Sequence, residues 1–452
     1  MRLVKVGADG EEEWVDVVQI ARPGDFGDLA NLGLTMAEGK LVLAGLQQEF
    51  VAGQAREHAV VCRPDCRICG GACRVKDYRE HQVATLFGCV TVRLARFCCA
   101  LCGAIEAGNG WPSHCRSTPE LDRFQAHLSA LMPYREAADM LAQMLPLDAG
   151  KSHETLRRHT LQTGEELQNR VAPKLETEAS AIDTSLDSTF IRSCEAGERH
   201  LEVMVGNVET AAGGRRVFGA VAKSGTDIRE QIRGSLDALG RTEETALTGF
   251  TDGCSGLRRI LADVGVTETP ILDWFHIAMR VQHLKQIADG LSADDPECAA
   301  AKAVIVEEVD RLNWRMWNGK AKDAQISIDR IRQVMHAFQG EPNRQRSEAP
   351  SRKLWTALAK LNGYLCGQSN WLVNYAERHR AGLRVGTALT EATANFLVNR
   401  RMNISQQMRW TRRGADLLLQ VRSAVYNGTL GTVSGQRFAP DLGLPPQITM
   451  AA

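Results

Sequence analysis

Two aspartates in this chain are the side chains best placed by type and context to do chemistry. Asp187 lies within AIDTSLDSTFIR, residues 181–192, and Asp252 directly follows the short apolar run ALTGFT. Carboxylates at the ends of neighbouring strands offer hard oxygen ligands to Mg²⁺ or Mn²⁺. Two such ions about 4 Å apart promote in-line displacement at a phosphodiester, one activating the attacking oxygen and one stabilising the leaving oxygen. Asp183 sits four residues before Asp187 on the same strand, so both side chains point to one face. The residues alone leave either as the first acid. Glu391 opens a third candidate stretch, EATANFLVNRRMN. Taken alone, a Glu at a helix start is no more than a favourable contact with the helix dipole.

A second chemistry is written in the cysteines. Nine of the thirteen fall between positions 62 and 115. Cys66-x-x-Cys69 and Cys99-x-x-Cys102 each carry a Gly immediately after the second cysteine. Two such knuckles bring four thiolates around one tetrahedral Zn²⁺, and the Gly permits the tight turn. Between them, ATLFGCVTVRLARFCC alternates as a β-hairpin does, which predicts a zinc ribbon. Cys62, Cys73, Cys89, Cys98 and Cys115 lie close by, and Cys62 could replace Cys66 as a ligand. Cys89, inside the alternating run, reads as a small buried apolar residue. Arg74, Lys76, Arg79, Arg93 and Arg96 would decorate the ribbon within reach of phosphates.

The elements that must position these groups are legible around them. Strands are predicted at 181–192, 199–208, 215–222 and 246–251, with a further short strand in TPILDW. Helices are predicted in GTDIREQIRGSLDALG and GCSGLRRILADVG. The order β-β-β-α-β-α-β, with one acid on the first strand and one just after the fourth, is that of a ribonuclease-H-like core. Upstream, helices near 134–145 and 152–166 flank a turn containing Pro146 and Gly150, with Ser152 as N-cap. Lys151, Arg157, Arg158 and His159 stand near the start of the second helix, as on the recognition helix of a helix-turn-helix. A plain helical hairpin fits the same pattern. About 115 residues of helical periodicity separate Asp273 from Glu391, more than a connection needs, and predict an α-helical insertion. Trp314, Trp317, Trp355 and Trp371 are its expected core, with stacking of one on an unpaired base as the alternative.

Taken together these motifs resemble bacterial insertion-sequence transposases of the DDE type, closest to the ISKra-type group. The resemblance rests on TLFGCVTVRLARFCCALCG, on LDSTFIR, on TDGCSGLRRIL, on ILDWFHIAMR and on LTEATANFLVNRRMNISQQMRWTRRGAD, and spans roughly residues 60–427. Asp273-Trp-Phe-His276 matches a Cys/Asp-x-x-His signature of such enzymes. The resemblance implies Asp187, Asp252 and Glu391 as the catalytic, Mg²⁺-binding triad, with Asp187 preferred over Asp183, and a supporting role for Asp273 and His276. It also implies double-stranded DNA, both element ends and target, as the partner, and a homodimer or higher synaptic assembly. Arg157 and Arg158, and beyond the triad Arg400, Arg401, Arg409, Trp410, Arg412 and Arg413, are the expected DNA contacts. A DNA-binding repressor that lost the chemistry and a structure-specific nuclease of the same fold are the alternatives.

The organisation expected is a multidomain α/β chain. An acidic, helical segment (1–57) and a zinc ribbon (58–116) come first, then a helical DNA-binding region (117–175). The ribonuclease-H-like core takes 176–283 and 386–427, interrupted by the all-α insertion (284–385) and followed by a tail (428–452). The chain of 452 residues, 44% hydrophobic, has a formal net charge of zero. Residues 1–50 hold nine acids against four bases, whereas 344–413 hold thirteen bases against three acids. That asymmetry predicts a polyanion-facing C-terminal half. No run of eighteen apolar residues and no signal-peptide core is present, so a cytoplasmic, nucleoid-associated protein is expected, with no membrane partner.

Overall fold

In a computed structural model of the protein, residues 2–6, 12–21, 29, 32–107, 116–146, 152–168, 178–268, 270–341, 347–403 and 408–431 are described. The fold is mixed α/β and divides into two compact units, Met1–Asn169 with Ala424–Ala452, and Arg170–Ser423. No helix among the described residues is long and apolar enough to cross a membrane.

The first unit opens with a small antiparallel pair, β1 (Arg2–Val6) and β2 (Glu12–Asp16), inside the segment expected to be acidic and helical. Helix α1 (Met36–Val61) follows behind a Thr35/Glu38 capping box and runs past the expected boundary at 57. The ribbon is the hairpin β3 (Cys73–Thr85) and β4 (Gly88–Cys99), with β5 (Ile105–Ala107) on the far edge of β4. Its first arm begins earlier than alternation suggests, because the charged stretch RVKDYREH is extended by pairing rather than by an apolar face. Helices α2 (Pro119–Leu131), α3 (Tyr134–Met144) and α4 (His153–Gln168) share a core of Leu121, Tyr134, Ala137, Ala138, Leu141 and Leu156. The two predicted helices are therefore part of a three-helix cluster.

The second unit is built on a five-stranded sheet. Strands β6 (Ala181–Arg192), β7 (His200–Thr210) and β8 (Arg215–Val221) form an antiparallel meander. After α5 (Ile228–Asp237), strand β9 (Ala246–Thr251) pairs parallel with β6. After α6 (Ser255–Asp263), the two-residue β10 (Ile271–Leu272) pairs parallel with β9. The resulting order is β10-β9-β6-β7-β8. One face buries Ile182, Leu186 and Phe218 against Ile232 of α5 and Leu261 of α6.

The chain leaves β10 into α7 (Trp274–Asp289), α8 (Pro296–Trp317), α9 (Ala321–Val334), α10 (Pro350–Gly367) and α11 (Tyr375–Arg380). It returns as α12 (Ala388–Ala394), a π-helical segment 395–403, and α13 (Arg412–Tyr426), which cover the other face. The helical block is not a detached insertion. Its core is continuous with Phe250, Ile271 and Leu272 at the sheet edge, and the expected boundary at 284 falls inside α7. Trp317 packs with Trp274 and Tyr375, whereas Trp314 and Trp355 are 55% and 46% exposed and do not serve as core.

Candidate active site and cysteine cluster

Parallel pairing decides where the acids meet. Leu186 of β6, Thr251 of β9 and Leu272 of β10 lie in one row across the sheet. One step further along each strand stand Asp187, Asp252 and Asp273. Because neighbouring strands share side-chain direction at the same register, the odd-numbered face of β6 turns Asp187 toward the layer that holds α12. Asp183, four residues back on the same face, is half-buried and stands away from that row. It lies beside Arg384 and Arg378, and burial pushes its carboxyl upward against their charge.

Each acid has a different environment. Asp187 is buried, and its carboxylate accepts from the Ser188 amide at 2.8 Å. Asp252 is partly exposed in the turn that leaves β9, where Oδ1 accepts from the Cys254 amide at 2.9 Å. The turn is clamped from α10: Tyr364 donates its hydroxyl to the Asp252 carbonyl at 2.9 Å, and Gln368 donates to the Gly253 carbonyl at 3.2 Å. Arg258, its guanidinium 3.4 Å over the Trp371 ring, also donates to Gly253 O at 2.6 Å. Gly253 has φ +101, a conformation a Cβ would strain, and a Cβ there would come within 2.9 Å of Gln368.

Asp273 is fully buried, and its oxygens are taken up by the chain itself. It caps α7 through the Phe275 amide, accepts from Thr387 N at 2.8 Å and from the Thr387 hydroxyl, and contacts His276 Nδ1 at 2.7 Å. Burial pushes the Asp273 carboxyl up, but these donors outweigh it and leave it below the ordinary carboxylate value. Burial likewise pulls His276 down, and the Asp273 contact, then the fields of Asp187 and Asp252, carry it above the usual histidine value. His276 thus stands within electrostatic reach of both acids while its ring is oriented by a third carboxylate.

Glu391 lies in α12; its side chain is outside the described residues. The backbone that carries it is tied down by its neighbours. Thr390 Oγ1 meets Ser185 Oγ at 2.5 Å, and Ser185 donates to Asn207 at 2.6 Å. Arg384 donates to Ser185 at 3.1 Å and to its own segment at Gly386 O. Thr387 to Asp273 and Thr390 to Ser185 therefore pin the returning segment to the strands that bear the acids. None of Tyr364, Gln368, Arg384, Ser185 and Thr390 carries a sequence signal, since a buried hydroxyl or amide gains meaning only from its partner.

The expected DNA contacts divide. Arg158, Arg400, Arg409 and Arg413 are exposed, and Arg157 is exposed but paired with Glu154. Arg401 and Trp410 are a correction: they are 1% and 5% exposed, and neither can meet a polyanion. Trp410 is drawn in because its backbone continues β6 by bonding Arg192 O and Cys194 N, while its indole donates to Met402 O at 3.0 Å. Arg401 stacks 5.4 Å from that ring. Arg412 is held by Glu195 and Glu198 and by the Ala222 carbonyl, so it ties α13 to the β6–β7 turn. His159 turns inward to Asp122 and Gln125, and Lys151 lies outside the described residues.

Among the described residues, one cluster could hold a metal through three or more side chains: Cys66, Cys69, Cys99 and Cys102, whose sulfurs all lie within 4.8 Å of one another. Sulfur separations of 3.4 to 3.5 Å fall near the roughly 3.8 Å edge of a tetrahedron with 2.3 Å Zn–S bonds. The two knuckles repeat one geometry, Gly70 at φ +69 and Gly103 at φ +72. The Cys102 and Leu101 amides bring the Cys99 thiol down to about 6. At Cys69 the Gly71 amide favours the thiolate, but the adjoining sulfurs of Cys99 and Cys102 push it up to about 12. Four thiolates this close need a cation between them, and the set suits a structural Zn²⁺. Cys62 is not among them, Cys89 is half-buried rather than buried, and Cys115 lies outside the described residues. Arg96 of the ribbon is paired with Asp77, while Arg74, Lys76 and Arg79 are exposed.

No protein-family model matches this chain, and no curated protein matches it significantly.

Proposed function

We propose that this protein is a transposase that binds the terminal inverted repeats of its insertion sequence and performs DNA cleavage and strand transfer at a DDE site on a ribonuclease-H-like core. The observation that carries the reading is the row of Asp187, Asp252 and Asp273 one step beyond the paired row Leu186–Thr251–Leu272. An antiparallel meander followed by two parallel strands on the side of its first strand is the strand plan that reading requires.

Asp187 and Asp252, joined by Glu391 from α12, are the residues that would hold Mg²⁺ or Mn²⁺, an all-oxygen donor set that suits hard cations. When bound, the ions would supply Lewis-acid stabilisation of the attacking and leaving oxygens. The chain's own part is placement. β6 and β9 fix the spacing of the first two carboxylates, Tyr364 and Gln368 hold the turn of the second, and Thr387 and Thr390 hold the segment of the third. Asp273 fixes the ring of His276 beside the acids. Zn²⁺ in the ribbon is structural in this reading, and the exposed Arg158 of the three-helix cluster contributes to end binding.

The test is cleavage and joining of linear DNA carrying the element ends, with Mg²⁺, by wild type and by Asp252→Ala. Cleavage with joining, abolished in the variant, supports the reading. Cleavage without joining replaces it with a nuclease, and binding without either reaction replaces it with a binding protein.

A further inference from the structure

The two helices that touch the candidate active site carry no acid on the stretches that leave it. α7 begins at the site with Asp273 and His276, and from Trp274 to Ala288 it contains no Asp or Glu. α10 ends at the site with Tyr364 and Gln368, and none of its residues from Pro350 to Gly367 is acidic. In a chain whose acids and bases balance, two acid-free helices converging on a cluster of carboxylates are a feature that folding does not require.

One basic residue of α7 reaches across to α10, and two lysines follow on the same stripe of α10. Arg280 stands one helical turn beyond His276 on α7, and its guanidinium lies 4.1 Å from the centre of the Tyr364 ring. Tyr364 is the residue whose hydroxyl holds the Asp252 carbonyl. Going back along α10 from Tyr364, Lys360 is four positions away and Lys353 eleven, spacings that keep all three on one helical stripe. Arg280, Lys353 and Lys360 are exposed. Stacking on an aromatic face holds a guanidinium in place while leaving its N–H edge open to an anion.

We propose that Arg280, Lys360 and Lys353 form a phosphate-binding track along α7 and α10, which leads the backbone of a DNA strand to the turn carrying Asp252. Arg280 contacts the phosphate nearest the site, and the two lysines contact successive phosphates farther out. The track rests on the reading of the acids as a DNA-processing site, and it assigns to that site a strand-guiding surface on the helical block.

The experiment uses the full chain and fluorescein-labelled 30-mer DNA, single-stranded and duplex, with binding measured across a salt series. Arg280→Gln and the double variant Lys353→Gln/Lys360→Gln should each bind several-fold more weakly than wild type. The salt slope should fall by about one for each charge removed. A second readout, lysine acetylation read by mass spectrometry on wild type, should show Lys353 and Lys360 protected by DNA while Lys322, exposed on α9, is not. Variants with wild-type affinity and slope, or lysines that stay reactive in the complex, overturn the track and leave the reading of the acids standing. A wild type that neither binds nor cuts DNA overturns both.

Discussion

The Tyr364 hydroxyl sits 2.9 Å from the carbonyl oxygen of Asp252, so a helix 112 residues later in the chain holds the second acid in place. The helical block is therefore part of the site's framework, which fits its continuous core with the sheet edge. Removing the hydroxyl in Tyr364→Phe takes away about 1 kcal/mol of net hydrogen bonding. If that restraint is expressed at the transition state, strand cleavage slows roughly fivefold. Single-turnover cleavage and a thermal melt check this together, and an unchanged rate at unchanged stability would sink it.

The pairing of Asp273 with His276 makes a pH-dependent contribution of defined sign. His276 titrates above its ordinary 6.5 in the folded protein. With the carboxylate ionised, its stabilising effect is therefore fully present below pH 6.5 and is lost as pH rises through the folded value. Denaturant unfolding at pH 6 and pH 9 should show wild type losing this contribution at the higher pH and Asp273→Asn lacking it. An NMR titration of His276 at or below 6.5 would refute the assignment.

Metal analysis should return one Zn²⁺ per chain. Cys66→Ser or Cys99→Ser should lose it, while Cys62→Ser and Cys73→Ser should keep it, because only the first two belong to the four-sulfur cluster. Chelation should unfold the ribbon, since binding free energy at such a site is folding free energy. A Cys62→Ser protein without zinc would contradict the ligand set.

Trp410 and Arg158 should behave in opposite ways. Trp410→Ala opens a cavity in the layer under β6 and should cost about 3 to 5 kcal/mol of stability. It should leave the salt dependence of DNA binding unchanged in whatever folded protein remains. Arg158→Ala touches no core, so its stability should match wild type and its salt slope should fall by about one. Melting curves and binding isotherms on the two variants separate these outcomes.

Much of the local plan was legible in residues 181–272. Apolar runs bounded by Gly, Asp and Thr mark strands and helices by period alone, and the strands at 181–192 and 246–251 are found at those bounds. The knuckles were legible for a related reason. Cys-x-x-Cys-Gly is a local motif whose geometry depends on one positive-φ glycine and a few short-range hydrogen bonds. The hairpin β1–β2 was not legible, because its strands are charged and short and their pairing leaves no apolar alternation to read.

Side-chain roles far apart in sequence were decided only by the tertiary structure. Sequence by itself determined which residue types could ligate metal and, within residues 181–272, which segments would be strands or helices. It could not separate Asp183 from Asp187, since both face the same way along one strand. The register of β6 against β9 sets Asp187 beside Asp252 and leaves Asp183, four residues back, beside Arg384 and Arg378. Nor could it tell a surface arginine from a buried one in NRRMNISQQMRWTRR. Charge and helical period are the same in both cases, and it is the bonding of Trp410 to the end of β6 that carries this segment inward.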